Sequence, residues 1–131
     1  MVEKIIQNSK LIAIIIRSSY HKDGIEFFSP KDFSQQLGYM KREKGYTVQP
    51  HYHILHQREV FLTQETLIVR SGKIRVDFYT DNHKLFEQKE LSSGDVILLA
   101  EGGHGIEFLE ESELIEIKQG PYMEKEDKVR F

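Results

Sequence analysis

The run "KIRVDFY" (Lys73 to Tyr79) constrains this chain more than any other, because its apolar and polar residues alternate without a break. Ile74, Val76 and Phe78 fall on one face of an extended strand, with Arg75 and Asp77 on the other, a period of two that suits a strand and no helix. The pattern recurs downstream. "TDNHK" reads as a hairpin turn into "KLFEQKEL", "SSGD" as a second turn into "VILLA", and "GIEFL" and "ELIEIK" alternate on either side of "EES". Upstream, "LIAIIIRSS", "GIEFFS" and "LGYMKREKGYTV" read as three further strands. The sum is eight to ten short strands and no long helix. One segment, "SPKDFSQQL" (Ser29 to Leu37), has room for a single helical turn capped by Ser29. Regularly spaced strands in such a chain imply an all-β antiparallel sandwich or barrel. "LIAIII" (Leu11 to Ile16) lacks alternation, so it is expected to be covered on both faces, either by a dimer interface or as an inner strand.

Composition narrows the chemistry. At 131 residues the chain fits one domain spanning 1–131, with one hydrophobic core. Apolar residues at 39% and charged residues at 30% give a globular balance, and a net charge of -3 offers a nucleic acid no purchase. There is no cysteine, which excludes disulfides, thiolate metal sites and cysteine nucleophiles. Any metal site must use nitrogen and oxygen donors. The apolar run at Leu11 to Ile16 is too short to span a membrane or to form a signal h-region, so a soluble, cytoplasmic protein without membrane partners is the expectation.

Three histidines crowd into "QPHYHILHQRE" (Gln49 to Glu59). Pro50 drives Gln49 toward an extended conformation. Along a strand His51 and His53 then project from one face, roughly 6–7 Å apart. His56, at an odd offset, belongs to a different face or to a loop. Two nitrogens do not complete a metal site, so a carboxylate and a further donor are needed. Glu65, opening "ETLIVRSG", and His104, among the small residues of "AEGGHGIEF", are the candidates. Arg58 and Arg70 are candidates to meet an anionic substrate, and Tyr39, Tyr46 and Tyr52 to line a pocket; Arg58 and Tyr46 are the stronger substrate-binding pair. His21 and His83 read as surface residues, and "MEKEDKVRF" as a charged tail whose Phe131 can dock.

Taken together these residues resemble the cupins. Gly45, five residues, and His51-Tyr52-His53 match the first half of that family's first motif. Glu65, six residues, and Gly72 match its second half, and "GDVILLAEGGHG" (Gly94 to Gly105) is similar to the second motif, with His104 as its histidine. The resemblance covers Gly45 to Lys118. The chain departs from the pattern in the eleven residues between His53 and Glu65, in Ala100 where proline is usual, and in a histidine one residue early. The inserted "ILHQREVFLTQ" offers Glu59 as an alternative carboxylate ligand.

The resemblance implies a double-stranded β-helix, or jelly-roll, cupin barrel. It implies a divalent metal ion (Mn, Fe, Ni or Zn) held by His51, His53, Glu65 and His104, and a small polar ligand such as a sugar or oxo-acid, acted on or simply bound. Such a metal would polarise a carbonyl or enediolate oxygen, as in metal-dependent isomerases and oxygenases. The nucleotide-sugar ketoisomerases, dimeric cupins of similar length, suggest instead a metal-free reaction with His51 and His53 as the catalytic acid–base pair. A third expectation is a non-catalytic, ligand-sensing cupin. A homodimer fits all three.

Overall fold

The computed structural model describes residues 1–125 and 127–131, so Glu126 of the charged tail lies outside the described residues. The chain forms ten strands: β1 (Val2–Gln7), β2 (Lys10–Ile16), β3 (Gly24–Phe27), β4 (Gly38–Lys41), β5 (Glu65–Ser71), β6 (Lys73–Tyr79), β7 (Leu85–Ser92), β8 (Val96–Leu99), β9 (Gly103–Phe108) and β10 (Glu113–Lys118). No helix occurs among the described residues. A five-stranded sheet runs β1-β2-β8-β5-β10, a three-stranded sheet runs β7-β6-β9, and β3 and β4 form a separate hairpin. Every pairing is antiparallel.

The alternation of β6 decides how the sheets stack. Ile74, Val76 and Phe78 are fully buried against Ile97 and Leu99 of β8, Leu67 and Val69 of β5, and Ala13 and Ile15 of β2, in one cluster drawn from both sheets. The result is a two-layer sandwich with a shared core. Each large side chain sealed in this way contributes roughly 1.5–3 kcal/mol. Ile14 on the opposite face of β2 is as fully buried as Ile15, so this strand is covered on both faces within one chain and needs no second copy to cover it.

Turn chemistry fixes the register. Asn8 and Ser9 both take positive φ (51° and 62°), the geometry that joins β1 tightly to β2. Gly72, with φ +86°, turns β5 into β6, and a side chain there would collide with Ser112 and the Glu111 carbonyl. The segment at Ser29 is not helical. Instead the Ser29 hydroxyl accepts the Leu37 N–H at 2.9 Å and closes a loop. That loop lies on the large sheet, where Gln35 accepts from Thr66 Oγ1 at 2.7 Å and donates to the Gln64 carbonyl at 3.0 Å. β4 ends at Lys41, and residues 42–62 contain no strand, although alternation continues through "GYTV".

The two sheets meet at two seams. At the first, the β1 and β7 edges are tied by charge: Glu3 pairs with Arg17 and, at 3.1 Å, with Lys89. Arg17 also donates to the Glu90 carbonyl at 2.6 Å and to Asp95 at 3.1 Å. The buried Asp95 carboxylate accepts backbone N–H groups from Ser18 (2.8 Å) and Ser92 (2.9 Å). The Arg17 guanidinium, and Lys89 beside it, hold the Glu3 carboxyl below its usual pKa range. At the second seam β9 pairs only with β6 and β10 only with β5, and the sandwich does not close into a barrel there. Asp95→Ala leaves two N–H groups and a guanidinium short of a partner and is expected to lower stability by about 3 kcal/mol in urea denaturation, whereas the more exposed Lys89→Ala is expected to cost under about 1 kcal/mol. Equal costs would show that the first seam is not organised by Asp95.

Candidate functional site

Strand parity brings the site residues to the second seam. His104 of β9 stands opposite Phe78, and Ile106 opposite Val76, so both point toward the core side of the small sheet. On the large sheet Glu116 stands opposite the buried Leu67, which places Glu65 and Glu116 on the core-facing parity of β5 and β10. The side chains converge on an open hollow of about 670 Å³ lined by Glu65, Glu116, His104, Tyr79, Ile106 and the tail residues 127–131. Phe131 stacks on His83 at 4.1 Å and meets Tyr79 edge-on at 5.3 Å, closing one end of the hollow over Gly103.

Glu65 Oε2 lies 3.9 Å from His104 Nε2, the distance of a loose ion pair. Both groups are pushed toward their neutral forms. Burial raises the Glu65 pKa, and the adjacent Glu116 carboxylate raises it further, against the opposing pull of Lys118 and Lys128. Burial lowers the His104 pKa, with Lys128 acting in the same direction and a hydrogen bond to the Gly102 backbone acting against it. Both shifts weaken the ionic character of the contact relative to the same pair in water.

The motif histidines lie elsewhere. His51 and His53 sit on the exposed segment 42–62, with their rings 5.5 Å apart, and neither lines the hollow. The His51 Nδ1 contacts the Gln49 carbonyl at 2.8 Å. A carbonyl can only accept, so Nδ1 is the donor in this contact. His56, Arg58 and Glu59 are exposed on the same segment. Tyr46 lies under the Arg42 guanidinium at 4.5 Å, and Tyr52 is 88% exposed. Tyr39 packs edge-on against Tyr20 at 5.0 Å.

The divalent metal that the cupin-like motifs imply does not fit one chain in this arrangement. Among the described residues no three His, Asp or Glu side chains converge as a ligand group, and no buried side-chain nitrogen or oxygen is left without a partner. Of the four motif residues, Glu65 and His104 lie together, and His51 and His53 remain apart from them. Glu116 was not visible as a site residue, because only the β5–β10 register sets it beside Glu65. Tyr79 ends the strand that alternation identified; its pairing with Gly103 puts its ring on the face of β9 opposite His104, over Gly103 and Gly105, at the rim of the hollow.

No protein-family model, curated protein or solved structure matches the chain. No helix among the described residues is long and apolar enough to cross a membrane.

The Glu65 shift sets a pH dependence. A carboxyl whose folded pKa is raised favours the fold below its unfolded pKa and loses that contribution as pH rises through the folded value. Glu65→Gln is therefore expected to raise the melting temperature at pH 7.5, with the gain vanishing near pH 4, where Glu65 is itself protonated. Melting curves across that range check it; a gain that does not change with pH contradicts the assignment.

Proposed function

We propose that this chain is a small cupin-type jelly roll that binds a small polyhydroxylated ligand, of the sugar class, in the hollow between β9 and β10. The observation that carries the reading is the convergence of Glu65, Glu116 and His104 on one open hollow between the sheets, with Tyr79 at its rim. Carboxyl groups accept hydrogen bonds from hydroxyls, while a neutral imidazole offers one donor and one acceptor. The Tyr79 ring supplies an apolar face for the C–H side of a sugar ring. The two adjacent carboxyls of Glu65 and Glu116 favour a neutral ligand over a free oxo-acid, a preference that Lys128 and Arg130 in the same lining reduce.

Positioning favours recognition as the first task of the site. Glu65 and His104 stand 3.9 Å apart in the hollow, close enough for one ligand hydroxyl to reach both. A sugar hydroxyl between them would accept from one and donate to the other. Calorimetry against a panel of neutral sugars, nucleotide sugars and oxo-acids tests the reading. A sugar-class ligand is expected to bind, with Glu116→Gln weakening it about tenfold, the loss of one charge-assisted hydrogen bond. Binding by oxo-acids alone, tightened by Glu116→Gln, would contradict it.

A further inference from the structure

Five tail residues, Asp127 to Phe131, line the hollow beside Glu65, Glu116 and His104, although they belong to no strand. Two different forces act to hold them there. The first is aromatic. The Phe131 ring lies nearly parallel to the His83 ring, 9° apart in plane and 4.1 Å between centroids, and it meets the Tyr79 ring at 87°. Edge-to-face contact suits the ring quadrupole, and the parallel pair adds dispersion across a whole ring face. The small sheet places both partners: Tyr79 ends β6, and His83 takes φ 61° in the turn toward β7. Gly103 completes the seat. A Cβ there would stand 2.9 Å from the Phe131 ring, so the ring rests where only a glycine leaves room for it.

The second force is charge. Lys128 stands near enough to Glu65 and His104 that its ammonium opposes protonation of both. Glu116 adjoins Glu65 in the same hollow, so the tail carries a cation to the place where two carboxyls gather. Neither hold is deep. Phe131 remains 61% exposed and Val129 88%. A segment outside the sheets, with side chains so exposed, can lift while both sheets stay packed. That is the property of a lid and not of a fixed wall.

We propose that residues 127–131 are a lid on the hollow, latched by Phe131 in the seat formed by His83, Tyr79 and Gly103, and that this latch governs access to Glu65 and Glu116. Closed, the lid sets Lys128 against the two carboxyls. Open, it withdraws that charge and frees both groups to accept hydrogen bonds from a ligand. The latch and the recognition groups are different residues. Access to the hollow can therefore change while the groups that meet a ligand stay as they are. As a control on the same hollow, the lid rests on the reading that the hollow is a binding site, but its test uses no ligand, so the two readings fail separately.

Carbodiimide chemistry on the full-length protein tests it. A water-soluble carbodiimide activates carboxyl groups, which then form an amide with a neighbouring lysine or with added glycinamide. Wild type, Phe131→Ala and Gly103→Ala are treated alike, after circular dichroism has confirmed that each is folded, and the products are mapped by mass spectrometry. In the wild type Lys128 is expected to join Glu65 or Glu116 within one chain, and glycinamide to reach those two carboxyls slowly. In both variants the Lys128 link is expected to fall. Glycinamide uptake at Glu65 and Glu116 is then expected to rise about fivefold, the weight of one aromatic pair, with uptake at the exposed Glu111 unchanged. Gly103→Ala is the sharper variant, because it leaves Phe131 and every charged group in place; Phe131→Ala decides the matter alone if Gly103→Ala does not fold. Equal uptake in wild type and variants, or a wild type without the Lys128 link, would overturn the lid.

Discussion

Asp95 and Arg17 hold the two sheets in one relation, and the site depends on that relation. Their network closes the seam between β1 and β7 with two carboxylates and one backbone carbonyl on the Arg17 guanidinium, and two backbone N–H groups on the buried Asp95 carboxylate. A sandwich tied along one side can remain open along the other without losing its core, because Phe78, Val76 and Ile74 are already sealed between the layers. The open side is where the functional groups stand. Structure and function are thus divided between two seams of the same core: one consumes its charges in ion pairs, the other leaves carboxyl and imidazole groups available.

Burial at the open seam changes what those groups are. In water a glutamate and a histidine 3.9 Å apart would pair as ions at mildly acidic pH. Here burial shifts both toward neutrality, and Glu116 adds a like charge that strengthens the shift on Glu65. A pair shifted in this way holds less charge than the same groups would in water, and it is open to hydrogen bonding with a ligand that enters the hollow. That use requires entry from the side that the sandwich leaves open.

Much of the fold was legible because a strand writes its parity into the sequence. β6, β7, β8 and β10 lie where alternation and turn residues put them, and the unbroken run at Ile12 to Ile16 is indeed covered on both faces. β1 was not recognised, since Ile5 alone of "VEKIIQ" is buried, although the Asn8-Ser9 turn that follows it was a usable signal. The helical turn at Ser29 failed because its hydroxyl closes a longer loop at Leu37 rather than capping the next N–H groups. Glu116 could not be found without the register that sets it opposite Leu67. The stretch from Tyr46 to Ile54 carries the same lesson in reverse. It is patterned as a strand and forms none, because a strand is completed by a neighbour and this one has none among the described residues.

The open seam is the centre of the account: its carboxyl and imidazole groups are set apart from ordinary surface groups by burial. The most direct measurement is an NMR titration of the Glu65 side-chain carboxyl and the His104 ring. The account predicts that Glu65 titrates above the ordinary glutamate value and His104 below the ordinary histidine value. Ordinary values at both positions would contradict it.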